Sequence, residues 1–542
     1  MHLGRPAALA AVLLAATTLA AAQQPAAPAP PAWTRGAVCY EVFVRSFYDS
    51  DGDGVGDLNG LIQKLDYIND GTPDASRDLG ARCIWLMPIA AATSYHGYDV
   101  TDYYHVDPDY GTNEDFRRLV AEAHRRGIRV LVDLVLNHAS SEHPYFKHAL
   151  LDPDSPYRNW FRWSPRPGAR NEWGGEVWHR SPVRAEYYYG FFWSGMPDLD
   201  FENPAVREEA KRIVGFWLRE MGVDGFRLDA IRHLVEEGDR TTNVPGTHAV
   251  LRELAAHIRA LAPDAFTVGE VWDSIGAMLP YYPDQLDAYF AFEVSDSILS
   301  AVRSGSARGL FHPVLRLQRE VPAGRWAPFL RNHDQTRTLT VLGGDVARAK
   351  LAATLLLTLP GVPFVYYGEE IGMTGDKPDP RLRTPMHWRR APAAGFTTGV
   401  PWEPLQPDSF TANVEALEAD TGSLLHLHRR LIHLRAENAA LAAGELVPLE
   451  ASHPAVAAYL RRDRDAAVLV VANLGDAPLA GVTLSSPERA LRPGRFAAAP
   501  LLGGPAAAPL RVAGDGRVRG YAPLRELAPR RAYLFDLRPT TP

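Results

Sequence analysis

Four short stretches of the chain place acids, bases or cations where a run of apolar residues ends. The string DLVLNH holds Asp133, Asn137 and His138. GFRLDAIRH holds Arg227, Asp229, Arg232 and His233. GEVW holds Glu270 and Trp272, and FLRNHD holds His333 and Asp334. Charges at the ends of buried strands are costly unless they are paired or used. Three carboxylates with an arginine and two histidines suit the cleavage of a glycosidic bond. That reaction needs one carboxylic acid to protonate the leaving oxygen and a second carboxylate to attack or to activate water. Arg227, two residues before Asp229, projects from the same side of an extended strand. Its charge would keep Asp229 ionised, as a nucleophile must be. Glu270 has no cation beside it in the sequence, which suits a raised pKa and an acid's role. Any one string alone reads as a structural salt bridge. Four in succession, each closing a strand, call for a common site.

A second constellation is independent of the first. Asp49, Asp51, Asp53, Val55 and Asp57 alternate with serine and glycines in DSDGDGVGD. Carboxylates at alternate positions around glycine turns, with a backbone carbonyl at Val55, wrap oxygen ligands around Ca²⁺. The loop is not an EF-hand, because its twelfth position is Gly60 and no flanking helix pair is predicted. The expected role is structural.

These residues need a scaffold that brings strand ends together. Apolar β-branched runs recur near residues 38–44, 83–87, 130–136, 225–228, 266–268, 288–292, 327–330 and 363–366, separated by amphipathic stretches. One such stretch starts at Thr112 or Asn113 as cap, buries Phe116, Leu119, Val120 and Ala123 on one face, and stops at Gly127. Continuous apolar strands alternating with helices predict a parallel (β/α)8 TIM barrel, with its working face at the C-terminal strand ends. An open doubly wound sheet is the competing architecture, but no glycine-rich phosphate turn follows any strand. Residues 34–138 and 204–444 are assigned to the barrel. Residues 139–203, without clear helical periodicity, form an inserted domain after the third strand. They carry Trp160, Trp163, Trp173, Trp178 and Trp193, either as a small core or as a stacking platform for sugar rings. Beyond residue 444 short strands and Gly/Pro turns predict an antiparallel β-sandwich over 445–542.

The formal charge of −7 argues against a nucleic-acid partner. Residues 1–22 read as a signal peptide: Arg5, a short apolar run, then an Ala-x-Ala site. Residues 23–33 form a stiff Pro/Ala linker. The expectation is a secreted or periplasmic monomer with no membrane attachment after cleavage. Cys39 and Cys83 lie on neighbouring predicted strands, as a bridge or as two buried thiols.

DLVLNH, GFRLDAIRH, GEVW, FLRNHD and MPDLD, in that order over nearly the whole chain, resemble the α-amylase family of glycoside hydrolases. The resemblance implies retention of the α configuration, with Asp229 as nucleophile, Glu270 as acid/base and Asp334 holding substrate hydroxyls. It implies that Tyr98 stacks under the same sugar, that Arg227, His138 and His333 bind it, and that Asp99 and Asp133 support them. Trp272 joins the substrate-binding set. Asn137, Asp200 and the backbone of His233 match a second calcium site. Ala230 after the nucleophile favours α-1,4 over α-1,6 bonds. Arg232-His233 resembles a Lys-His pair beyond the cleavage point, with arginine for lysine. YHGYD suits an endo-acting amylase on starch or maltodextrin. RTPMHW and LPGVPFVYYGEEIGM resemble the oligo-1,6-glucosidase and trehalose synthase groups, which keeps an exo-acting glucosidase or a glucosyl transferase open as the other reading.

Overall fold

The structure is a computed structural model that describes residues 29–73, 77–464 and 466–540. The signal peptide and most of the linker lie outside the described residues.

All eight expected barrel strands are present: β1 (Cys39–Val42), β2 (Cys83–Leu86), β3 (Arg129–Leu134), β4 (Gly225–Leu228), β5 (Phe266–Gly269), β6 (Ala288–Phe290), β7 (Trp326–Ala327) and β8 (Phe364–Tyr366). Each is parallel to its neighbours in chain order, and β1 also pairs with β8. The barrel closes through Val362 N to Trp326 O and Phe364 N to Pro328 O, both 2.9 Å. β7 is shorter than its apolar run because Pro328 has no amide hydrogen for the ladder. The strands are mostly apolar because side chains fill the barrel on one face and meet helices on the other; the charged exceptions are Glu41 in β1, Arg129 and Asp133 in β3, and Arg227 in β4.

The connecting helices begin where the sequence supplies caps. Thr112 and Asp115 form a reciprocal capping box on the helix Asn113–Arg125, and Phe116, Leu119, Val120 and Ala123 are its buried face. Asn203 caps the helix Pro204–Gly215, with Pro204 in its first turn. Cys39 and Cys83 are register partners on β1 and β2 and are joined as a disulfide.

The inserted segment departs from the expectation in one respect. It contains a helix, Pro144–Leu151, capped by His143. Two turns are too short to show a period in sequence. The segment also holds a three-stranded sheet of Trp163–Ser164, Trp178–Arg180 and Tyr187–Tyr189. Its aromatics divide between both readings: Trp160, Tyr188, Tyr189 and Phe191 are buried, while Trp173, Phe192 and Trp193 are exposed.

The C-terminal region is a six-stranded antiparallel sheet whose central members are Val456–Asp463, Ala466–Asn473 and Arg531–Pro539. The second layer of the expected sandwich is reduced to two short ladders, Glu450–Ala451 with Leu484–Ser485 and Leu479–Ala480 with Glu526–Leu527. Buried Arg461, on the strand Val456–Asp463, donates to the carbonyls of Thr358 and Gly444 and so ties this sheet to the barrel.

Candidate active site

The C-terminal ends of the barrel strands open into a cavity of about 560 Å³. Asp229, Glu270 and Asp334 line it together with Tyr98, His138, Arg232, His233 and Trp272. Arg227 and His333 are fully buried behind the rim and bond to Asp229, Glu270, Tyr98 and Asp334.

Arg227 is the hub. Its Nη1 donates to Asp229 Oδ1 at 2.6 Å and to Asp133 at 2.9 and 3.0 Å, and its Nη2 donates to Glu270 Oε2 at 2.6 Å. The guanidinium lies against the buried ring of Trp85, 5.1 Å from its centroid. The reach to Asp229 is the same-side spacing expected along β4. The reach to Glu270 corrects the sequence reading that this acid has no adjacent cation, because β4 and β5 are side by side in the barrel. Burial pushes both carboxyls up, the Arg227 charge pulls both back, and neighbouring carboxylates push again. Asp229, Glu270 and Asp133 therefore share one cation, and repulsion among the carboxylates opposes ionisation of all of them at once. Ala230, immediately after Asp229, sits in the left-handed region at φ 46°. A non-glycine residue there is strained, and the strain falls where the chain turns Asp229 into the cavity.

A second chain of charge runs behind Asp334. His333 Nδ1 meets Glu41 at 2.6 Å, and its Nε2 meets the Tyr98 hydroxyl at 2.7 Å and Asp334 at 3.2 Å. Burial works against the imidazolium, but Asp334 and Glu41 raise it to about 9. With both nitrogens protonated, His333 donates to Tyr98, whose hydroxyl in turn reaches Asp133 at 3.1 Å. Asp334 would be raised by burial, yet His333, Arg383 and Arg227 hold it well below the usual carboxylate range. His138 is the opposite case. Burial lowers it to about 4, so it is neutral and donates from Nε2 to the Tyr98 carbonyl at 3.1 Å. Burial likewise lowers His233 to about 3.

Two important side chains were absent from the sequence reading. Arg383 Nη2 grips Asp334 Oδ1 at 2.7 Å while its Nε donates to the His333 carbonyl at 3.0 Å. It belongs to the RTPMHW string, which lies in a loop with no period to place it. Glu41 is a lone acid inside the apolar run of β1, the signal that could have exposed it.

Two expected residues are placed differently. Asp99 does not reach the cavity. It is buried, and its carboxylate accepts from the Ser94 amide at 3.1 Å and from the hydroxyls of Thr93 and Ser94, fixing the loop that carries Tyr98. Asp200 does not join Asn137. The Asn137 amide donates to Asp198 at 3.1 Å, whereas Asp200 faces Arg162 at 3.6 Å. Asp198 is the fully buried member of the pair DLD, and the sequence does not say which of the two turns inward. His233 points its ring at Phe191 and its Nδ1 at the Thr241 carbonyl.

In the Asp/Gly loop, Asp49, Asp51 and Asp57 bring ligand oxygens within 4.8 Å of one another. Asp49 also accepts from the amides of Gly52 and Gly54 at 2.7 and 2.8 Å, and Asp57 caps the helix Leu58–Ile68. Asp53 and Val55 lie outside that trio, with Asp53 Oδ1 accepting from the Val55 amide at 2.7 Å. All-oxygen, multiply charged donors in a glycine-hinged loop fit Ca²⁺.

A barrel with acids gathered at its C-terminal rim and an inserted domain beside them defines a class of carbohydrate-active enzymes. Residues 41–444 match the description "Alpha amylase, catalytic domain", and the chain belongs to the α-amylase family. It is similar to "Alpha-amylase 3" of Dictyoglomus thermophilum, 41% identical over 82% of this chain and 85% of the relative. It is 35% identical to "Trehalose synthase/amylase TreS" of Mycobacterium tuberculosis over 84% of each. The solved α-amylase from H. orenii superimposes with a TM-score of 0.81 at 38% identity, covering 93% of this chain and all of the other. The chain is an α-amylase-family glycosidase.

Proposed function

We propose that the chain is an exported, endo-acting α-amylase that hydrolyses α-1,4 bonds in starch and maltodextrins with retention. Asp229 and Glu270 on a single guanidinium carry the reading: double displacement works with the two carboxyls about 5 Å apart, a gap that suits two acids held on one guanidinium. In the first step Glu270 gives its proton to the glycosidic oxygen while Asp229 bonds to C1 and the aglycone departs. In the second, water adds to C1, its proton returns to Glu270, and the C1–Asp229 bond breaks. Asp334, held by Arg383 and His333, accepts sugar hydroxyls. Neutral His138 and the Tyr98 ring contact the same residue.

Endo action is supported by exposed Trp173, Phe192, Trp193 and Trp272 around the rim, which offer stacking surface beyond one sugar. Export is supported by the leader-like N-terminus and by a disulfide, which persists in oxidising compartments. Among the described residues no helix is long and apolar enough to cross a membrane. When bound, Ca²⁺ would neutralise Asp49, Asp51 and Asp57 and stiffen the loop after β1. The trehalose synthase relative supports the other reading, exo-acting glucosidase or glucosyl transferase. Digestion of soluble starch with products sized over time separates them. Oligomers of several lengths at early times fit endo action, and glucose alone or a disaccharide isomer overturns it.

A further inference from the structure

Arg232 was expected to offer its charge to sugar beyond the cleavage point. The structure commits that charge elsewhere. Its Nη1 donates to the Trp272 carbonyl at 2.5 Å, and its Nη2 pairs with Glu172 at 2.9 Å and with Asp273 at 3.4 Å. The Arg232 side chain is 12% exposed, while Glu172 and Asp273 at 35% and 29% keep one side toward solvent. On the barrel side the arginine is pinned: Asp273 also accepts from Asn243 at 3.3 Å, and Asn243 accepts from the Tyr281 hydroxyl at 2.6 Å. From the inserted domain, the tie is Glu172. The next residue, Trp173, is 63% exposed and lines the active-site cavity, as does the 49% exposed Trp272. Trp272 is itself backed by Phe292, stacked at 5.2 Å with planes 4° apart.

We propose that Glu172 is a positioning residue that, through Arg232, holds the Trp173 loop opposite Trp272 and builds a slot for a glucosyl acceptor. The inference rests on the retaining reading of Asp229 and Glu270. In the second displacement the attacking hydroxyl can belong to water or to a sugar. The hydroxyl oxygen bonds to C1, the C1–Asp229 bond breaks with its electron pair returning to the carboxylate, and the hydroxyl proton passes to Glu270. An aromatic slot on the leaving-group side raises the share that goes to sugar, because a ring stacked there stays in attacking position.

The test is the partition between transfer and hydrolysis at high maltotriose, read as longer oligosaccharides formed per bond broken. This ratio does not depend on how much of a variant is folded. Glu172→Gln keeps size and removes charge, and should lower the transfer share about fivefold. Glu172→Asp should recover part of it, and Trp173→Ala should lower it further. A wild type that hydrolyses maltotriose without forming transfer products, or a Glu172→Gln ratio equal to wild type, overturns the slot while leaving the hydrolase reading intact. No cleavage of maltotriose or starch by the wild type would instead remove the hydrolase reading on which the slot depends.

Discussion

Asp229 and Glu270, each one residue past the end of adjacent strands, meet different terminal nitrogens of Arg227 at 2.6 Å. One buried cation thus sets the electrostatics of both acids. Neither can be changed without altering what the other feels.

Asp229→Asn and Glu270→Gln keep size and hydrogen bonding but remove, respectively, the nucleophile and the proton donor. Each should cut kcat on maltooligosaccharides by at least about 1,000-fold with an unchanged circular-dichroism spectrum. Turnover near wild type in either variant would take that residue out of the mechanism.

Arg383→Ala leaves Asp334 with one strong partner fewer and the His333 carbonyl without its donor. A fall in kcat/KM of about 100-fold is expected, and Arg383→Lys should restore it only in part, since lysine cannot make both contacts. Full activity in Arg383→Ala would show that Asp334 is positioned without it.

His333 is raised to about 9 in the folded chain, above its unfolded value near 6.5. Its contribution to stability is fully present below the unfolded value and is lost as pH rises through about 9. Glu41→Gln removes one of the carboxylates that raise it. The alkaline decline in Tm should then begin at lower pH than in wild type. Superimposable Tm–pH curves above neutrality would contradict this coupling.

Ca²⁺ bound at the proposed site of Asp49, Asp51 and Asp57 would stabilise the folded state by mass action. Excess chelator should lower Tm by about 3 °C or more. Asp51→Asn should reduce that chelator-dependent difference. Equal melting curves with added Ca²⁺ and with chelator would argue that the loop is held by its own hydrogen bonds.

The eight strands were legible because parallel strands buried on both faces read as unbroken apolar runs, and the acids at their ends stood out against them. What escaped was contact across sequence. The pair Arg227–Glu270 spans 43 positions and Arg383–Asp334 spans 49, and no local period encodes either. Asp99 and Asp200 failed for a related reason. A motif fixes residue type, whereas the loop's own hydrogen bonds decide whether a carboxylate faces the cavity, the backbone or a neighbouring arginine.

The most direct measurement is the anomeric configuration of freshly released sugar, followed by proton NMR before mutarotation. Double displacement at Asp229 predicts the α anomer as the first product. The β anomer appearing first would mean a single displacement by water and would contradict the shared-guanidinium account of Asp229 and Glu270.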